Sequence, residues 1–169
     1  MLCPDKNCRG SLKTLLFLLA FSALVLGAMF SLFFISDIII FMFQVRVKAD
    51  FAAAHFLRDY HGKCENLHGH NYKVYAHVQG KTLDEGGMLL DFTELKKALK
   101  AVCEKLDHTN LNDIDFFEQN PSAERIAIYI YEGIIAQLPE LKKTDGEAAY
   151  LYAIDVFETD NNRARFMPD

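Results

Sequence analysis

Twice in this chain the side chains alternate between apolar and polar, and that period of two constrains the fold more than any other feature. Val45, Val47, Ala49 and Phe51 alternate with Gln44, Arg46, Lys48 and Asp50. A strand sends successive side chains to opposite faces, so such a segment buries one face and wets the other. The second run places His68, His70, Tyr72, Val74, Ala76 and Val78 on one face, with Tyr75 and His77 on the other. His77 is therefore expected to point away from anything that His68 and His70 build.

The period then changes. Leu95, Leu99, Val102 and Leu106 recur at helical spacing, with Asp91 placed to cap the helix that carries them. Cys103 lies beside this stripe and reads as a small core residue. Pro121-Ser122 can open a second helix, with Ser122 as cap and Ile126, Ile130, Ile134 and Leu138 as its apolar stripe. Residues 149–157 and 164–166 read as closing strands joined by the turn Asp160-Asn161-Asn162. Two strands, two helices and two strands in that order predict an α+β domain with an antiparallel sheet covered on one face. Residues 42–169 suffice for one such core, and no internal repeat suggests a second domain.

The formal net charge is -5, and the globular part has no basic cluster interleaved with aromatics, which argues against a nucleic-acid surface and favours a small-molecule partner. Cys3 and Cys8 lie near the N-terminus while Cys64 and Cys103 stand apart, so no disulfide framework or CxxC pair is implied. A reduced, cytoplasmic setting is expected. Residues 1–41 strain that expectation, because residues 14–36 are 23 residues without a charge, long enough to form an apolar helix across a bilayer. Lys6, Arg9 and Lys13 precede the run and would hold the N-terminus on the cytoplasmic side. A cleaved secretory signal is a second reading of this leader. A third makes it an upstream translated segment, with the protein proper starting at Met42. Association with a membrane is expected only if the leader is a true span.

The chemistry concentrates in Cys64-Glu65-Asn66-Leu67-His68-Gly69-His70. On a strand His68 and His70 point to the same face, where two imidazoles can share one ion, and Gly69 between them lets another backbone approach. A catalytic zinc usually takes three protein ligands and keeps a fourth position for water or substrate. His55, closing the preceding alternating run, can be the third. Asp107-His108, just beyond the first helix, and Glu158, near the end of a closing strand, add further groups suited to acid–base work.

Ala53-Ala54-His55, the Cys64 to His70 run, Gly87-Met88 with Asp91-Phe92, Leu106-Asp107-His108, Asn120-Pro121-Ser122-Ala123-Glu124 and Glu158-Thr159 occur together in one order. In these motifs the chain resembles the 6-pyruvoyl-tetrahydropterin synthase superfamily over residues 43–166. The Cys-x3-His-Gly-His spacing is similar to the bacterial branch that forms 6-carboxy-5,6,7,8-tetrahydropterin in queuosine biosynthesis. Thr159-Asp160-Asn161-Asn162 after Glu158 looks more like the animal, pyruvoyl-forming branch, so both products stay open. The resemblance implies the tunnelling fold, a four-stranded antiparallel sheet with two helices on its outer face, assembled into barrel-like trimers and then a homohexamer. It also implies 7,8-dihydroneopterin triphosphate as substrate.

Residue by residue, the resemblance implies Zn2+ on His55, His68 and His70, and Cys64 as the catalytic base. His108 would act with Cys64, Asp107 would orient His108, and Glu158 would bind the pterin edge and share in proton relay. Glu124 would lie near the substrate pocket, with Ser122 standing where the family usually has threonine. Two readings from other classes compete: a zinc hydrolase in which Cys64 is only structural, and a non-catalytic module tethered by residues 14–36.

Overall fold

The computed structural model describes residues 41–144 and 146–169. The apolar helix expected over 14–36, and the three readings of the leader, lie outside the described residues. Among the described residues no helix is long and apolar enough to cross a membrane.

Four strands and two helices follow in the expected order: β1 (Phe43–His55), β2 (His68–Gly80), α1 (Phe92–Leu106), α2 (Ala123–Ile135), β3 (Tyr150–Thr159) and β4 (Asn162–Phe166). The strands form one sheet in the order β1-β2-β3-β4, every neighbour antiparallel. The alternation holds in register. Val47 pairs with Ala76 and Phe51 with Tyr72, and all four are buried in one core with the stripes of both helices. Arg46, Lys48 and Asp50 on the other face stay exposed.

Both helix starts are as the sequence predicts: the Asp91 carboxylate accepts the Thr93 N–H at 2.7 Å, and the Ser122 hydroxyl accepts the Arg125 N–H at 3.4 Å. Cys103 is buried, and burial pushes its thiol up to about 12. Two boundaries differ from expectation. Helix α2 stops at Ile135, and Leu138 is half-buried in the turn that follows, where Leu141 N–H bonds to its carbonyl. The closing hairpin is longer than the alternation suggests, because Thr159 pairs with Asn162 after an irregularity in β3, which leaves Asp160-Asn161 as the turn and puts Glu158 on the strand.

His77 lies away from the other histidines, as expected, but it is not solvated. It is buried against Asp155, 2.8 Å from its Nε2, and Arg165 grips the same carboxylate with two nitrogens at 2.6 and 2.8 Å. Removing one partner of such a buried pair would strand the other charge, so it is costly to break.

The edge of β1 is lengthened by a segment that no periodicity marks. His108 N–H donates to the Ala52 carbonyl at 2.6 Å, Ala54 N–H donates to Thr109, and Ala54 bridges Asn110 in parallel. Beyond it, buried Asn112 ties two loops together: its Oδ1 accepts the Phe56 N–H, and its Nδ2 donates to the carbonyls of Phe56 and Gln119, all at 2.9 Å. Removing a side chain that satisfies several buried backbone groups leaves them unpaired, at a cost of roughly 1–3 kcal/mol each. Asn112→Ala is therefore expected to lower the unfolding free energy by about 2 kcal/mol in urea denaturation, since some of the exposed groups will recover water.

Candidate metal and pterin site

At the end of the β1–β2 ladder His55 pairs with His68 and Ala53 with His70, so the three histidines meet on the core-facing side of the sheet. One ligand atom from each lies within 4.8 Å of the other two. Gly69 sits where the Ala53 carbonyl crosses, and a Cβ there would come to 3.3 Å of that oxygen. The expected close backbone approach is thus present, in the strand that carries two of the three rings.

The rings are oriented by backbone carbonyls. His55 Nδ1 lies 2.9 Å from the Pro121 carbonyl and His68 Nδ1 lies 2.8 Å from that of Asn66. A ring nitrogen that donates to a carbonyl is protonated, which leaves Nε2 with its lone pair free, the arrangement that metal-bound histidines adopt. His55 is 1% exposed, and its Nε2 is buried with no hydrogen-bond partner. An orphaned buried lone pair facing two other imidazoles fits a divalent metal, and nitrogen donors suit zinc among others.

Burial pushes His55 and His70 below the ordinary histidine value of 6.5, outweighing the Glu158 carboxylate, which pulls both upward. Both are held neutral near pH 7, as ligands must be. Glu158 reaches the cluster from β3, with Oε1 4.0 Å from His55 Nε2. Tyr72 forms the floor: its ring stacks on Phe51 at 4.7 Å and meets His70 edge-on at 5.5 Å. Its hydroxyl is also buried without a partner, and burial together with the Glu158 charge pushes that phenol far above its usual range.

Cys64 is half-buried in a short turn, Lys63–Glu65, and its carbonyl accepts the Leu57 N–H at 2.8 Å, two residues beyond His55. The loop thus returns the thiol-bearing residue toward the end of β1. Glu124 is exposed on the first turn of α2, three residues from the Pro121 that holds His55.

Asp107 and His108 come together at the edge of β1. Asp107 Oδ2 is 2.8 Å from His108 Nδ1 while its Oδ1 accepts the Ala52 N–H at 2.7 Å, and these two bonds hold the Asp107 carboxyl below its usual range. Asp107 thereby orients His108, as its proposed role requires. The His108 side chain, however, is 83% exposed and lines a depression of about 480 Å³ along the β1 edge, together with Ala52, Ala53, Gly69, His70 and Asn71. One histidine of the cluster, His70, thus shares that depression with His108. Among the described residues neither Asp107 nor His108 forms a hydrogen bond or ion pair with Cys64.

The groups that set the cluster's geometry include Pro121 and Asn66, which lie inside motifs, but their orienting role was not visible in the sequence. Pro121 and Asn66 act through carbonyl oxygens, which every residue owns, and Asn112 acts through a loop contact.

The family model described as 6-pyruvoyl tetrahydropterin synthase matches residues 44–169. The chain belongs to this family. A Drosophila melanogaster relative named 6-pyruvoyl tetrahydrobiopterin synthase is 43% identical over 108 residues, covering 60% of this chain and 59% of that protein. A Bacillus subtilis relative named 6-carboxy-5,6,7,8-tetrahydropterin synthase is 36% identical over 108 residues, covering 60% of this chain and 72% of that one. The solved Caenorhabditis elegans 6-pyruvoyl tetrahydropterin synthase shares the fold with a TM-score of 0.64 at 27% identity, over 77% of this chain and 98% of that one.

The lowered histidines set a sign for pH. Their unfolded forms take up protons first, so the metal-free protein is expected to lose stability as pH falls below 6.5 toward the lower folded values. Metal must compete with those protons, so the rise in melting temperature on adding zinc should be large at about pH 7.5 and shrink toward about pH 5.5. Calorimetry with and without zinc checks both trends, and His55→Ala should remove the zinc-dependent rise.

Proposed function

We propose that this chain is a zinc-dependent 6-carboxy-5,6,7,8-tetrahydropterin synthase that converts 7,8-dihydroneopterin triphosphate and water to 6-carboxytetrahydropterin, acetaldehyde and triphosphate, in queuosine biosynthesis. The observation that carries this is the three-histidine cluster with the buried, orphaned Nε2 of His55 set 4.0 Å from the Glu158 carboxylate. In this reading His55, His68 and His70 hold the zinc, whose Lewis acidity makes the hydroxyls of the substrate side chain easier to deprotonate. Cys64 takes a proton from that side chain as thiolate. Glu158 accepts hydrogen bonds from the guanidinium-like edge of the pterin, a bidentate geometry that carboxylates suit, and Glu124 lies toward the pocket entrance.

His108 relays the proton, with Asp107 fixing its tautomer. Because neither residue bonds to Cys64 within one chain among the described residues, this role draws on a second copy of the chain, which a homo-oligomer of the family's trimer-based kind would supply. A cytoplasmic location follows from the substrate, with membrane association only if residues 14–36 span. The pyruvoyl-forming reaction on the same site is the second reading, favoured by the name of the Drosophila relative.

Mass spectrometry of products from the zinc-loaded full chain tests the reading. Carboxytetrahydropterin with acetaldehyde is the expected outcome, reduced by roughly 10²- to 10⁴-fold in Cys64→Ala. A pyruvoyl product would select the second reading, and turnover that survives Cys64→Ala would select a zinc hydrolase. Subunit mixing tests the assembly: Cys64→Ala and His108→Ala are each expected to be inactive, and their co-refolded mixture to regain about one quarter of wild-type activity, because one site in four draws both residues intact from different chains. A strictly intrachain site would regain none.

A further inference from the structure

We infer that Glu65 is a positioning residue for Cys64, acting as the clamp that closes the loop between β1 and β2. This rests on the role proposed above for Cys64. Residues 56–67 pair with no strand, and most of the loop from Arg58 to Glu65 is exposed, so nothing in the core holds it. Yet its backbone is bent into an uncommon shape, with Asp59 and His61 both at φ 58°. Residues with a Cβ persist in that left-handed region only where their surroundings over-determine them.

The determining group is one oxygen. Glu65 Oε1 accepts the Tyr60 N–H at 3.0 Å and the His61 N–H at 2.9 Å, two charge-assisted bonds that pin the loop tip to the residue following Cys64. The ring of Tyr60 folds over Gly62, where a Cβ would lie 2.7 Å from Tyr60 Cε1, so a side chain there would displace that ring. On the other side of Cys64 the Leu57 N–H reaches its carbonyl, and Asn66 holds the His68 ring at 2.8 Å. Cys64 thus sits between the end of β1, the clamped tip and the residue that orients a histidine of the cluster. Glu65 forms no ion pair among the described residues. Its carboxylate is committed to backbone.

Three substitutions in the zinc-loaded full chain separate reach from charge. Glu65→Ala removes both bonds, Glu65→Asp keeps the charge but withdraws the oxygen, and Glu65→Gln keeps an oxygen in reach without the charge. The expected result is a roughly tenfold to hundredfold fall in kcat for Ala and Asp, with KM within about twofold of wild type, and rescue by Gln. Alkylation of Cys64 by iodoacetamide, read by peptide mass, should quicken several-fold in Ala and Asp as the loop loosens, and stay at the wild-type rate in Gln. Wild-type turnover and alkylation in Ala, or a Gln variant as impaired as Ala, would overturn the inference. If the wild type turns over no pterin triphosphate, the function fails and the alkylation series alone decides whether Glu65 positions the thiol.

Discussion

The pairing of His55 with His68 at the last rung of the β1–β2 ladder is the constraint on which the rest depends. A slip of one residue would send every side chain of β1 to the other face, exposing Val47 and Phe51 while turning His55 out to solvent. The same register that buries the apolar face therefore assembles the histidine cluster. Folding energy from the core is thus spent on holding His55 where its lone pair has no protein partner, a cost tolerable only because Phe51, Tyr72 and both helices bury so much around it.

Around that rung the loops act as a brace. Pro121 and Asn66 set two of the rings through carbonyls, while Asn112 locks Phe56, just beyond His55, to Gln119, just before the Asn120-Pro121 entry to α2. The Pro121 and Asn112 braces join the end of β1 and the residue after it to the segment before α2, and the Asn66 brace ties the β1–β2 loop to the start of β2. The three histidines and Glu158 are carried on rigid strands, while the loops add the Cys64 thiol and fixed carbonyl dipoles around them.

Electrostatics divides the sheet. On the core side desolvation wins, keeping His55 and His70 neutral despite Glu158, so the cluster is ready for a cation. On the opposite side His77 is also held down by burial, but Asp155 there is fully engaged by Arg165 and His77, which makes it an internal ion pair rather than an open site. Similar residue types thus have different prospects, and what separates them is whether a polar atom is left unpartnered.

By itself the sequence determined the elements and most of the cluster. The period of two in β1 and β2, the helical stripes, the Asp91 and Ser122 caps and the His-x-His spacing are local, so they could be read residue by residue, and the structure brings His55, His68, His70 and Glu158 close to one another. Where local pattern met tertiary competition it failed by a few residues, as at Leu138 and in the closing hairpin. Only the tertiary structure decided where Asp107-His108 lies. It runs along the edge of β1 through backbone bonds to Ala52 and Ala54, and main-chain pairing leaves no mark on side-chain chemistry. The carbonyl orienters and the Glu65 clamp were decided there too, because each joins groups whose nearness depends on how the chain turns between them.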